Sequence, residues 1–278
     1  MEVKWLIEDY EGDGSLNGII SEVRTQGMQC EVINYIPFMG GKYDHYKDDE
    51  LVIFYGSLNL AAQLQREKPW IPGPICNFKQ LCCLTYYSHW GQYLFNKDYI
   101  MLPILELSRR REEIYKQFGV DDCIFIRPDS GAKTFYGNVY PSEELDSELK
   151  IMEGYASKPL DEILVVISSP KPIDKEWRVV VAHQYGVIAA SQYKKDGKLN
   201  EERGCPQEVI EIANRIAMEE WQPDKMYTVD VCESNGKFGF LEANSFSCSG
   251  LYACDVKPVV EVASRLALEE WDSYNKIL

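Results

Sequence analysis

Three residues late in the chain, Asp230, Glu242 and Asn244, offer only oxygen donors. Residues 227–233 and 237–242 alternate as strands, and Asn235-Gly236 between them is a hairpin signal. Alternation puts Glu242 and Asn244 on one strand face, and hairpin pairing brings Asp230 beside them. Two carboxylates and an amide suit Mg²⁺ or Mn²⁺, hard cations that neutralise the charge developed in phosphoryl transfer. The competing reading is a set of solvated acids on an edge strand. Against it, Glu242 sits inside the apolar stretch Gly-Phe-Leu-Glu-Ala-Asn, so its carboxylate must face something.

A second cluster lies at 125–137. The apolar strand 123–127 delivers Arg127, and a loop with Ser130, Gly131, Lys133 and Gly137 follows. Glycine lets backbone approach a polyanion closely, and Lys and Arg neutralise phosphate oxygens. A surface hairpin with two incidental cations is the plainer alternative. A third pair, Glu176 and Arg178, shares one strand face. Arg178 could grip a phosphate or carboxylate in its bidentate fork, or form an ordinary cross-strand ion pair. Together, cations from one strand-loop unit and acids from a second sheet describe a nucleotide held between two lobes.

Positioning such groups takes a frame. Residues 3–7, 30–35 and 51–55 read as strands, with helices at 15–27 and 58–65 and a helix stop at Gly27. The wholly apolar 51–55 segment implies a strand covered on both faces. Gly56 and Ser57 end it, where open α/β sheets bind ligands. The aromatic run 85–95 is expected to pack on a neighbouring domain. A charged helix is expected at 106–118, its Arg109-Arg110-Arg111 run offset by Glu112 and Glu113. Strands follow at 162–168, 176–182 and 186–193, the last two turned at 184–186. Two similar amphipathic segments, 209–221 and 259–271, read as helices covering one sheet.

The chain has 278 residues and a formal net charge of −15, which disfavours polyanionic partners such as nucleic acid or anionic membrane. Its nine cysteines form no CxxC pair and suit a reducing compartment. No apolar run approaches the ~18 residues of a membrane span, and the start, with Glu2 and Lys4, lacks a signal-peptide core. A cytoplasmic protein is expected. His45, His89 and His183 lie in no triad-like context and read as structural.

The order of these clusters resembles the ATP-grasp superfamily over about 120–255. It runs Arg127, glycine loop, hinge strand, Glu176-x-Arg178, Asp230, then Glu242-x-Asn244. The resemblance implies an α/β and α+β chain: a Rossmann-like preATP-grasp domain at 1–105 and an ATP-grasp domain at 106–278. Within the latter, a small lobe of about 120–170 and a large lobe of about 171–278 would enclose the nucleotide. It also implies ATP and Mg²⁺ (or Mn²⁺) as cofactors. Asp230, Glu242 and Asn244 would bind metal, and Arg127 and Lys133 would contact phosphates. Main chain at Val166, Ile167 and Ser168 would meet adenine. Glu176, Arg178 and Lys194 would lie at the ATP site, with Arg178 and Lys194 facing the γ-phosphate or the acyl phosphate and Arg178 and Lys133 as the catalytic residues. Asn200 resembles a phosphate-site Asn of the ribosomal-protein glutamate ligases. Most members carry Lys where Arg127 stands; Arg followed by Pro-Asp-Ser-Gly-x-Lys resembles a divergent clade found mostly in phages and bacteria.

The chemistry so implied joins a carboxylate to an amine through an acyl phosphate, releasing ADP, with a small molecule or peptide as substrate. ATP-dependent phosphotransfer, modification of a nucleotide or nucleic acid, and nucleotide binding without catalysis are the alternatives. Gly56, Ser57, Ser247 and Ser249 are the candidate substrate contacts, the serines at 247 and 249 lying in the 245–252 loop directly after Asn244. Cys248 in that loop reads as an incidental thiol.

Overall fold

The computed structural model describes residues 2–9, 14–34, 43, 45–155 and 159–277, with only the backbone of 155 and 277. The loop expected at 8–14 and the end of the strand expected at 30–35 reach outside these.

The N-terminal part runs β1 (Lys4–Glu8), α1 (Leu16–Thr25), β2 (Gln29–Ile33), β3 (Leu51–Tyr55), α2 (Leu58–Glu67) and β4 (Ile71–Pro74). The sheet order is β2-β1-β3-β4, all parallel. Gly27 ends α1 in the left-handed region (φ +80°), a conformation that suits glycine. All five residues of β3 are buried because both its faces are covered. Leu51, Ile53 and Tyr55 pack with α1, and Val52 and Phe54 pack with Leu60, Ala61 and Leu64 of α2.

Next come α3 (Cys83–Trp90), β5 (Tyr99–Pro103), α4 (Ile104–Arg109), α5 (Arg111–Phe118), β6 (Cys123–Pro128), β7 (Asn138–Pro141), α6 (Leu145–Tyr155) and β8 (Leu164–Ser168). Strands β5-β8-β6-β7 form an antiparallel sheet backed by Leu107, Ile114, Phe118 and Leu149. The single helix expected at 106–118 is two, broken where Arg110 leaves helical geometry (φ −107°, ψ 19°). The arginine run is a solvated face, but its partners are Glu106, Glu113 and Asp146.

The last part holds β9 (Lys175–Ala182), β10 (Gly186–Lys195), β11 (Lys198–Arg203), α7 (Gln207–Ala217), β12 (Met226–Ser234), β13 (Lys237–Ser245) and α8 (Val256–Ile277). Its antiparallel sheet runs β11-β10-β9-β12-β13. The hairpin turn sits at Asn235 (φ 50°) and Gly236 (φ 72°), as its sequence demands. The two similar helices take opposite faces of this sheet. Val179 and Val181 pack in the cluster of α7, whereas Val180 and Ala182 pack in the cluster of α8. The α8 cluster also holds Trp5, Ile53 and Tyr55, so α8 joins the two sheets. The aromatic run packs across units as expected: Tyr86 and Trp90 meet Phe240 of β13 at ring separations of 5.7 and 5.8 Å.

Candidate active site

A cleft of about 540 Å³ opens between the β5–β8 sheet and the β9–β13 sheet. That volume is ordinary for a small-molecule site. Its chemistry comes from strands of both sheets and one loop.

Strands β12 and β13 supply the acids. Asp230 of β12 stands directly opposite both Glu242 of β13 and Arg178 of β9. A bulge at Leu241 shifts the register beyond that point. It lets Phe240 and Ala243 join the core below, while Glu242 and Asn244 line the cleft. Asn244 Nδ2 lies 3.1 Å from Glu242 Oε1 and 3.4 Å from Asp230 Oδ2. The two carboxylates and the amide expected to gather therefore do.

The cations arrive from the opposite sheet. Arg127 of β6 donates to Glu242 Oε2 at 2.6 Å and to the bulged carbonyl of Leu241 at 3.4 Å. Lys133, at positive φ in the glycine loop, reaches Glu242 Oε1 at 3.4 Å. Burial pushes the Glu242 carboxyl up. Lys133, Arg127 and the Asn244 amide outweigh it and hold that group well below the usual carboxylate range. Glu176 and Lys194 also line the cleft, paired at 2.9 Å across β9 and β10, and Tyr193 donates its hydroxyl to Glu176.

Arg178 does not reach the cleft. Its Nε and Nη2 bond both oxygens of Asp230 at 2.9 and 2.7 Å, and Nη1 donates to the carbonyl of Gly250 at 2.9 Å. Its guanidinium also lies over the rings of Tyr193 and Tyr252. Arg178 thus ties the loop after β13 to β9, a corrected placement for a residue expected to face phosphate. Asp230, wholly buried against it, approaches the cleft only through Asn244.

The hinge is corrected too. Strand β8 is interior, paired with both β5 and β6 along its length, so its main chain is engaged by neighbours. Val166 and Ser168 line the cleft, while Ile167 points into the core on the other face. The first main chain beyond the pairing is at Ser169 and Pro170, also in the cleft wall.

The four expected substrate residues are structural rivets. Ser247 is fully buried, donating to Phe54 O and accepting from Ile75 N. Ser249 donates to Ser245 O, and its own carbonyl takes the Tyr55 hydroxyl. Gly56 donates to Ser247 O and packs so closely on Glu8 that an added Cβ would lie 2.5 Å from its Cβ. Ser57 caps α2 through Leu60 N, and its own N–H donates to Glu8. Asn200 accepts from Gln192 instead of lining the cleft. Among the described residues no histidine lines it either. What sequence reasoning missed is the apolar wall of Tyr87, Leu94, Phe95 and Tyr99. The aromatic run signalled it, but only the packing role was legible.

Several observations fit a metal held with a polyanion. The donors are hard oxygens, and Arg127 and Lys133 balance the Glu242 carboxylate. Asn244 presents an amide whose N and O can exchange by a simple flip. Among the described residues no cluster of three or more His, Cys, Asp or Glu forms a metal site. Any ion here would therefore rest on Glu242, on the Asn244 amide and on ligand oxygens, with Asp230 behind the amide. None of the nine cysteines is in a disulfide, and no described helix is long and apolar enough to cross a membrane.

Solved structures share this architecture. D-alanine–D-alanine ligase from Bacillus anthracis complexed with ATP superposes with a TM-score of 0.60 at 15% identity, covering 100% of this chain and 99% of that one. D-cycloserine synthetase DcsG gives 0.59 at 11% identity, covering 96% and 99%. The ATP-grasp ligase PsnB, complexed with a phosphomimetic variant of its minimal precursor, Mg and ADP, gives 0.52 at 11% identity, covering 97% and 99%. At such identity the likeness shows the fold, which is the ATP-grasp fold. No curated protein matches the sequence. A family model for an ATP-grasp domain, the second family of its clade, matches residues 110–262, more than half of the chain, and the protein belongs to that ATP-grasp family.

Proposed function

We propose that this chain is a Mg-ATP-dependent carboxylate–amine ligase that makes an amide or peptide bond through an acyl phosphate. The observation that carries the reading is the convergence of Arg127 and Lys133, from one sheet, on Glu242 and Asn244 of the other, across a cleft of nucleotide size. Arg127 and Lys133 would exchange their carboxylate partner for phosphate oxygens as the nucleotide enters. Glu242 and Asn244 would hold magnesium, which supplies neutralisation of the charge shared between the phosphates, and Asp230, both of whose oxygens are bonded by Arg178, would support the Asn244 amide from behind. Lys194, held by Glu176, would attend the transferred group. The apolar wall of Tyr87 and Tyr99 with Val166 would take the base, and main chain at 169–170 its edge. No protein nucleophile is needed, since positioning and charge neutralisation suffice.

Two of the similar solved structures, D-alanine–D-alanine ligase with ATP and PsnB with a precursor variant, Mg and ADP, are ligases holding nucleotide, and they support the ligase class over phosphotransfer. We place the division between the domains ahead of β5, not at 105, because β5 pairs with β8. The test is incubation with Mg-ATP and pools of amino acids and short peptides, reading ADP, phosphate and new masses. ADP with an amide product is expected; AMP with pyrophosphate, or a phosphorylated end product, would overturn the reading.

A further inference from the structure

The loop that carries Lys133 is anchored at its start, and the anchor belongs to neither facing sheet. The N-cap residue of helix α3, Cys82, turns its thiol to Phe78 O and does not cap the helix with its side chain. Asp129 provides the cap from 45 residues away: its Oδ1 accepts from Leu84 N at 2.6 Å, and its carbonyl accepts from Cys83 N at 2.9 Å. A carboxylate there satisfies orphan N–H groups and complements the helix dipole. The fit continues at Gly131, where an added Cβ would lie 2.9 Å from both Leu81 Cβ and Phe78 O.

The other end of α3 is fixed on the acid-bearing strand. Tyr86 and Trp90 pack on Phe240, two residues before Glu242. Asp129 is two residues after Arg127 and four before Lys133. The helix therefore spans from the strand holding the acids to the loop holding the cations.

We infer that Asp129 is a positioning residue for the nucleotide site: by capping α3 it sets where Arg127 and Lys133 stand relative to Glu242. The inference rests on the Mg-ATP reading. Asp129 stands in the cleft wall, but its Oδ1 is spent on Leu84 N, so it acts through the loop. The acceptor oxygen is the larger part of this cap and the charge the smaller, so asparagine should serve nearly as well while alanine should not.

The experiment is calorimetric titration of the full chain with Mg²⁺ and the non-hydrolysable analogue AMP-PNP. Asp129→Ala should bind about tenfold more weakly, the size of a lost cap, and Asp129→Asn within about threefold of wild type. Amide hydrogen exchange on wild type gives a readout free of any folding defect: Leu84 and residues 130–134 should gain protection together when the analogue binds. Unchanged affinity in the alanine variant would overturn the inference. So would equal loss in the asparagine variant, or protection at 130–134 without Leu84. Failure of wild type to bind the analogue would overturn the nucleotide reading as well.

Discussion

Two cation–carboxylate clusters lie side by side on the same sheet, and they are built for opposite ends. Asp230 is wholly buried and its cation, Arg178, comes from the adjacent strand; the Arg178 side chain is 8% exposed. Glu242, directly across from Asp230, is 22% exposed, and its cations come from the opposing sheet over the cleft. The sealed pair cannot exchange partners without unpacking the loop that Arg178 holds at Gly250. The open cluster can, because Arg127 and Lys133 sit where an entering polyanion would meet them. Charge type is the same in both; what differs is where each cation is anchored.

The largest effect should come from breaking the sealed pair. Arg178→Ala leaves the Asp230 carboxyl buried without its partner, and should cost about 3–5 kcal/mol of stability. Urea denaturation reads it directly. Replacing both partners together, as Arg178→Met with Asp230→Leu, should recover most of that loss, because no orphaned charge remains. If Arg178→Ala were as stable as wild type, the pair would not be a structural tie.

The open cluster should answer differently. Glu242→Gln should lower the magnesium-dependent part of ATP affinity by about 100-fold, near 2.7 kcal/mol. Its urea midpoint should move by no more than ~1 kcal/mol, the scale of a partly exposed pair. Titrating ATP with and without Mg²⁺ separates the two quantities. Unchanged magnesium dependence would remove Glu242 from the metal set.

The same contrast explains what was legible in sequence. The Asp230, Glu242 and Asn244 set was readable because a hairpin turn and strand alternation fix which side chains meet. Arg127 and Lys133 were readable because a strand followed by a glycine loop limits where cations can go. Arg178 was misplaced because alternation gives its strand face but not its partner: Gly250, Tyr193 and Tyr252 reach it from elsewhere in the chain. Ser247 and Ser249 looked available in a Ser- and Gly-rich loop, yet the parallel sheet docks on them through Phe54, Ile75 and Tyr55. Short elements such as β5, β7 and β11 escaped because few residues carry their pattern, and their pairing is decided across the sheet.

Acid and salt provide the smallest effect and the cleanest separation. The Glu242 carboxyl lies below its ordinary value, through Lys133, Arg127 and Asn244 working against burial. A depressed carboxylate contributes stability that is complete above the unfolded glutamate value of ~4.3 and declines as pH falls toward the folded value. The stability difference between wild type and Glu242→Gln, about 1 kcal/mol at pH 7, should therefore shrink once pH drops below that unfolded value. It should also shrink in 1 M salt, where screening acts over about 3 Å. The cost of Arg178→Ala should hardly respond to salt, since solvent ions do not enter between Arg178 and Asp230. Equal salt sensitivity in both clusters would mean that Asp230 is as open to solvent as Glu242, and the distinction between a spent cation and an exchangeable one would fail.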